Sequence, residues 1–281
     1  MSRVAYVNGA YVPLRGAGIS IMDRGFQFAD SIYEVWAVRG GRMFDVDEHM
    51  ARLQRSLTEL RIAPPMSAAS LMAVIKETMR RNRVRDGIVY VQISRGAANR
   101  DHVFPAATTP PTLVVTAKNL DQRTIAARAT AGIKVTSAPD TRWARRDIKS
   151  VNLLPNVLAR QGAKEKGAFE AWFVDADGLV IEGTSSNAWI VDAGGVLRTR
   201  ALSQEILHGV TRGAILKLAQ DRQMKIEERP FTIEEAKTAR EAFITAASNA
   251  ATAVVEIDGA RIGDGKPGPV TEALRAAYLG A

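Results

Sequence analysis

The sequence predicts an α/β fold of mixed sheets arranged in two halves. Short β-branched and aromatic runs occur in hairpin pairs as well as between helical stretches, which argues against a doubly wound parallel sheet. A polar tract without periodicity, residues 118–124, then interrupts the pattern near the middle. This divides the chain into an N-terminal α/β domain at 1–119, a linker at 120–125 and a C-terminal α/β domain at 126–281. A chain of 281 residues can bury one large core or two modest ones.

The elements follow in order. Asn8-Gly9 between two apolar runs is a type I′ hairpin signal. Residues 31–38 are β-branched and aromatic, and Gly40-Gly41 turns them back into Arg42-Met43-Phe44. Asp47 can cap a helix to about Leu60 that places Met50, Leu53, Leu57 and Leu60 on one face. Ser67 opens a second helix bearing Leu71, Val74, Ile75 and Met79, and 88–94 and 112–117 read as strands. Beyond the linker, 133–136 is a strand, and 152–166 is a helix that stops at Gly167. Residues 171–174 and 178–181 form a hairpin across Asp175-Ala176-Asp177. Strands at 188–191, 242–245 and 254–257, a helix at 210–220 and a closing helix at 269–279 that starts on proline complete the set.

Composition narrows the function classes. Apolar content of 46% and charged content of 24% are ordinary for a globular protein. Without cysteine there are no disulfides, thiolate metal sites or cysteine nucleophiles. His49, His102 and His208 show no ligand spacing, so no metal is expected. No Gly-x-Ser-x-Gly elbow is present. The first residues lack a signal-peptide apolar stretch, and no run reaches the ~18 apolar residues of a membrane span, so a cytoplasmic location is expected. A net charge of +8 fits either a nucleic-acid binder or an enzyme for anionic ligands. The basic residues are dispersed and no helix-turn-helix or RNA-recognition signature is seen, so neither nucleic acid nor membrane is an expected partner. A basic nucleic-acid-binding protein is the non-enzyme alternative.

Several residues carry chemistry. Lys149, in Asp147-Ile148-Lys149-Ser150, can form a Schiff base if desolvation or nearby cations lower its pKa. It also reads as a solvated lysine in a basic loop. Glu182 ends an apolar strand before Gly183 and the hydroxyls of Thr184, Ser185 and Ser186. A carboxylate there suits the ring nitrogen of pyridoxal phosphate, or else simply precedes a polar turn. Gly209-Val210-Thr211-Arg212 opens a helix, where free N–H groups and the Thr211 hydroxyl suit a phosphate. Ala246-Ala247-Ser248-Asn249 offers a second set of backbone donors. Arg100 and His102 can hold a carboxylate. His49 and Arg52 share a helix face at i, i+3.

Together these residues resemble the class IV, or fold type IV, pyridoxal-phosphate aminotransferases over almost the whole chain, and within them the D-amino acid transaminases. Asp23-Arg24-Gly25-Phe26-Gln27-Phe28-Ala29-Asp30 with Tyr33-Glu34-Val35 matches the N-terminal signature. Asp147-Ile148-Lys149-Ser150 matches the Schiff-base lysine motif, and 182–187 the pyridine-nitrogen carboxylate with its turn. The resemblance implies a two-domain fold and pyridoxal 5'-phosphate held by Lys149, Glu182, Arg52, Ser185, Ser186, Val210, Thr211, Ala247 and Ser248. Threonine often stands at the position of Ala247, so here the backbone N–H and Ser248 serve. Arg100, His102 and Tyr33 match the residues that bind the substrate α-carboxylate, and Val35 lies beside the substrate side chain. The implied reaction is ping-pong transfer of an amino group from a D-amino acid such as D-alanine to a 2-oxo acid such as 2-oxoglutarate or pyruvate, in a homodimer. R-selective amine and branched-chain transaminases share the lysine and glutamate and form the alternative within the family.

Overall fold

The structure, a computed structural model, describes residues 3–280. They form two compact units. The first runs to Asp121 and takes in Ile148–Asn152, and the second comprises Gln122–Asp147 and the chain from Leu153 onward.

In the first unit the strands are β1 (Val4–Val7), β2 (Ala10–Pro13), β3 (Ser31–Arg39), β4 (Arg42–Met43), β5 (Gly87–Ser94) and β6 (Thr112–Asn119). They make one antiparallel sheet in the order β2-β1-β6-β5-β3-β4. Its helices are α1 (Arg24–Phe28), α2 (Val46–Glu59) and α3 (Ala68–Arg81). Asn8 and Gly9 both have positive φ, 45° and 100°, as a two-residue I′ turn requires. Period-two alternation then sorts the sheet into two faces. Ile32, Trp36, Val89, Val91, Ile93, Leu113 and Val115 point into a core closed by Leu53 and Leu57 of α2 and Leu71 and Ile75 of α3. Each such side chain contributes about 1.5–3 kcal/mol by leaving water. Tyr33, Val35, Tyr90, Gln92, Val114 and Thr116 lie on the other, half-buried face.

The second unit begins with α4 (Gln122–Ala131), β7 (Ile133–Pro139) and α5 (Leu154–Glu165). Then come β8 (Glu170–Val174), β9 (Val180–Gly183), β10 (Asn187–Val191), β11 (Leu197–Thr199), α6 (Val210–Asp221) and β12 (Ile226–Glu228). The chain ends with α7 (Ile233–Lys237), β13 (Glu241–Ala246), β14 (Ala250–Ile257), β15 (Ala260–Arg261) and α8 (Pro269–Leu279). Nine strands form a mixed sheet in the order β12-β11-β10-β13-β14-β7-β8-β9, with β15 on β14. The β11–β12, β14–β7 and β7–β8 pairs are parallel and the others antiparallel. Every residue of β10 is buried, as expected of a strand covered on both faces.

Three expectations are corrected. The linker at 120–125 is in part helix, because α4 opens at Gln122. No residue of α4 is buried, so it has no apolar stripe to reveal it. The α2 helix starts at Val46, one residue before Asp47, after a left-handed Asp45 that makes no side-chain cap bond. The lysine expected on the C-terminal domain groups with the first unit, because 148–152 runs beside the start of β3. There Tyr33 N–H donates to the Lys149 carbonyl (3.0 Å), Val151 N–H donates to the Ser31 carbonyl (3.1 Å), and Ile148 enters the core. Among the described residues no helix is long and apolar enough to cross a membrane.

Candidate active site

In the first unit Lys149 is tied by its main chain and left half-buried at its side chain. Its N–H donates to the Ser56 hydroxyl at 3.3 Å, and its Nζ lies 4.2 Å from the centre of the Tyr33 ring. Tyr33 stacks on Tyr90, its diagonal neighbour on β5, at 5.6 Å between ring centres, and the Tyr90 hydroxyl donates to Gln92 Oε1 at 2.8 Å. Burial, helped by Tyr33, pushes the Tyr90 hydroxyl up to about 12. Val35 pairs with Tyr90 across the strands on the same face.

On the opposite face Glu34 is a carboxylate among apolar neighbours, and α2 answers it. Arg52 donates from Nε to Oε2 at 2.9 Å and from Nη2 to Oε1 at 2.6 Å, and His49 Nδ1 lies 2.9 Å from Oε1. Arg52 thus meets Glu34 with a bidentate fork, in addition to the cofactor role expected of it. Burial pushes the Glu34 carboxyl up, but Arg52, His49 and Lys149 outweigh it and hold the group well below its ordinary 4.5. A carboxylate with a depressed pKa stabilises the fold above its unfolded pKa and loses that contribution as pH falls through the folded value. The stability gap between wild type and Glu34→Gln should therefore hold from neutral pH to about 4.5 and narrow below it. Urea titrations across that range measure it, and a gap that widens on acidification would contradict this assignment.

Arg100 and His102 are exposed. The Arg100 guanidinium lies 5.0 Å from the centre of the Phe28 ring, and the His102 and Phe28 ring centres are 5.5 Å apart.

The second unit holds Glu182, buried at the end of β9. Three donors converge on it: Arg142 Nη1 at 2.5 Å from Oε1, Asn187 Nδ2 at 3.1 Å from Oε2, and Leu207 N–H at 3.2 Å from Oε2. Arg142 is held in turn by Asp140, through Nε at 3.0 Å and Nη2 at 2.8 Å, and packs over Phe173. Burial pushes the Glu182 carboxyl above its ordinary value, and Arg142 and the Leu207 N–H offset only part of that.

The turn after Glu182 is tied to a second carboxylate. The hydroxyls of Thr184, Ser185 and Ser186 all donate to the fully buried Glu170, at 2.9, 2.8 and 2.5 Å. A buried carboxylate needs such donors, and the hydroxyl protons of the turn go to it. At the start of α6, half-buried Val210 is followed by Thr211, whose Oγ1 is buried without a partner. Gly209 precedes them, and a Cβ there would run into Asn187 Oδ1. Ala247 and Ser248 sit half-buried in the β13–β14 turn, where Arg275 of α8 donates to the Asn249 carbonyl.

The donor chemistry fits pyridoxal phosphate. Thr211 is an orphaned buried hydroxyl at the N-terminus of a twelve-residue helix, an arrangement that suits a phosphate. Glu182 is a buried carboxyl group, the kind of partner that a protonated ring nitrogen requires. The sequence motifs assign no role to Glu34, Ser56, Arg142, Glu170 or Asn187. Glu34 had a signal, an acidic residue at an inward position of an alternating strand. Arg142 stands forty residues before Glu182 and had none.

The "Amino-transferase class IV" family description matches residues 31–257, and the chain belongs to that family of pyridoxal-phosphate-dependent enzymes. Among curated relatives, the D-alanine aminotransferase of Bacillus licheniformis is 40% identical over 270 residues, 96% of this chain and 94% of the relative. That of Staphylococcus haemolyticus is 36% identical over 273 residues, 97% of this chain and 95% of the relative. Among solved structures, the Escherichia coli branched-chain amino acid aminotransferase superposes with a TM-score of 0.90 at 25% identity, covering 100% of this chain and 94% of that one. The T.th. branched-chain amino acid aminotransferase with pyridoxamine 5'-phosphate does so with 0.89 at 27% identity, covering 99% and 93%.

Proposed function

We propose that the enzyme moves an amino group from a D-amino acid, D-alanine first, to a 2-oxo acid such as 2-oxoglutarate or pyruvate, in two half-reactions. The observation that carries the substrate class is the exposed pair Arg100 and His102, gathered at Phe28 on the first unit. A guanidinium and an imidazole so placed suit an α-carboxylate. The curated relatives named D-alanine aminotransferase support the same choice.

Bound pyridoxal phosphate supplies the electron sink for the pair left at Cα. Lys149 would hold the cofactor through its amine and, once freed, would carry the proton between Cα and the cofactor C4′. Glu182 would face the ring nitrogen and favour its protonated form. Arg52, Val210, Thr211, Ala247 and Ser248 would hold the phosphate, the last four mainly through N–H and hydroxyl donors. Ser185 and Ser186, whose hydroxyls also donate to Glu170, would line the cofactor site from the turn that carries Glu182. Tyr33 joins Arg100 and His102 around the carboxylate, and Val35 faces the side chain. The exposure of Arg100 and His102 favours a homodimer in which each copy serves its partner's site, and a cytoplasmic location belongs to the same reading.

A branched-chain reading draws on the solved neighbours, whose titles name that activity. A panel of D-alanine, L-leucine and an R-arylamine separates the readings. Turnover of D-alanine is expected to dominate, and its absence would remove the proposal. In Arg100→Ala the KM for D-alanine should rise by about tenfold or more, the scale of one charge-assisted contact, while cofactor content per chain stays constant.

A further inference from the structure

Arg24 is a buried cation that the proposed chemistry does not use, with 4% of its surface exposed. Its place follows from local sequence. Asp23 caps the short helix α1 by accepting from Gly25 N–H at 2.8 Å, and the Ser94 hydroxyl donates to the same carboxylate at 2.7 Å. Arg24 N–H donates to the Gly96 carbonyl at 2.9 Å. The main chain of Arg24 is thereby pinned to the start of the loop that carries Arg100 and His102.

Its side chain reaches the far end of the same loop. Nη1 donates to the Asp101 carbonyl at 2.6 Å and to the Val103 carbonyl at 3.3 Å. These carbonyls flank His102, so one nitrogen holds the backbone on both sides of it. Nε donates to Asp30 Oδ2 at 2.8 Å, which fixes the fork. Asp30 is gripped from the other side by Arg95, through Nε at 2.7 Å and Nη2 at 2.9 Å. Arg95 also lies under the Phe104 ring at 3.6 Å.

Phe28, at the end of α1, is shared by three groups. The Arg24 guanidinium lies 4.8 Å from its ring centre and that of Arg100 lies 5.0 Å away, with His102 beside it. A single aromatic ring therefore orients both members of the candidate carboxylate-binding pair, and Arg24 orients the ring's neighbours through the backbone.

The geometry points to Arg24 and Phe28 as positioning residues for substrate recognition: they mount the 100–102 segment so that Arg100 and His102 meet an α-carboxylate already oriented. This rests on the reading of Arg100 and His102 as the carboxylate-binding pair. The physical reason is preorganisation. Long side chains on an exposed loop lose freedom when they bind an anion, and a loop held in advance lowers that cost. Charge-assisted bonds from a buried guanidinium to two carbonyls are strong enough to hold it. Neither residue needs to touch the substrate.

The test uses the full-length holoenzyme with D-alanine as donor and 2-oxoglutarate as acceptor. Arg24→Met, Arg24→Lys, Phe28→Leu and Arg100→Ala are compared for KM, kcat and cofactor content per chain. In Arg24→Met the KM for D-alanine should rise about tenfold while kcat changes less than about threefold, since lost preorganisation appears in binding rather than in the proton-transfer step. Cofactor content should stay at the wild-type level. Arg24→Lys, which keeps a charged donor for the carbonyls but lacks the Nε bond to Asp30, should fall between. Phe28→Leu should raise KM in the same direction. An unchanged KM in the Arg24 variants and Phe28→Leu, alongside a raised KM in Arg100→Ala, overturns the inference. A parallel fall of kcat and cofactor content also overturns it, because it marks a merely structural role. If Arg100→Ala leaves KM unchanged too, the carboxylate reading itself has failed. Should Arg24→Met not fold, Arg24→Lys and Phe28→Leu decide the matter by the same criteria.

Discussion

Lys149→Ala should reduce kcat by about four orders of magnitude, the upper end of what a positioned proton-transfer group supplies. On the proposed reading two roles would be lost together, the covalent hold on the cofactor and the amine that carries the Cα proton. The fold should survive. The backbone bonds of residue 149, N–H to the Ser56 hydroxyl and carbonyl from Tyr33 N–H, need no lysine side chain. Ile148 keeps its place in the core, and the amine packs over one ring, so stability should change by less than about 1 kcal/mol. The checks are steady-state rates, thermal unfolding, and borohydride reduction followed by peptide mapping. Wild type should carry the reduced cofactor on Lys149, and the variant should carry none. A reduced adduct on another lysine, or retention of substantial turnover, would remove Lys149 from the mechanism.

The reading of Lys149 as the cofactor lysine rests on order along the chain. Taken alone, Lys149 is one basic residue in a basic stretch. The signature at 23–30, the lysine tetrapeptide, Glu182 with its turn, and the helix start at Gly209 together specify a family whose description covers residues 31–257. Local chemistry was equally readable in the fold. Asn8-Gly9 encodes its turn through positive φ, and Ser67 caps α3 by accepting from Ser70 N–H. The misses share a different origin. No residue of α4 is buried, so its sequence carries no period. The partners of Glu182 and of the serine hydroxyls come from residues distant in sequence: Arg142 forty positions upstream, and Glu170 on a neighbouring strand. Nothing in the 182–187 segment announces that its hydroxyls belong to Glu170. The same holds for Arg24, a single letter of a recognisable motif until its guanidinium is seen against Asp101 and Val103. Charged side chains that act through tertiary contacts are thus the part of the site that sequence conveys least.

Glu182→Gln should lower kcat by about a thousandfold, comparable to removing a preorganised electrostatic contact at a reacting centre. The substitution keeps the shape and removes two things. One is the negative charge that, on the proposed reading, would keep a ring nitrogen protonated and so make the cofactor a better sink for the electron pair at Cα. The other is acceptor capacity. Arg142 Nη1, Asn187 Nδ2 and Leu207 N–H all donate to the two carboxylate oxygens. An amide presents one acceptor and one donor, so one end of the substituted side chain must face a donor in either orientation. A buried polar mismatch of that kind costs about 1–3 kcal/mol, which thermal unfolding of the cofactor-free protein can read. Arg142 itself stays paired, because Asp140 holds it independently through Nε and Nη2. The lysine chemistry should also persist, so borohydride should still fix the cofactor to Lys149 in this variant. That combination, attachment retained and turnover lost, distinguishes a carboxylate that tunes the ring from one that only holds the turn in place. If Glu182→Gln lost the cofactor and its kcat per bound cofactor matched wild type, Glu182 would be a structural anchor, and the proton on the ring nitrogen would need another keeper.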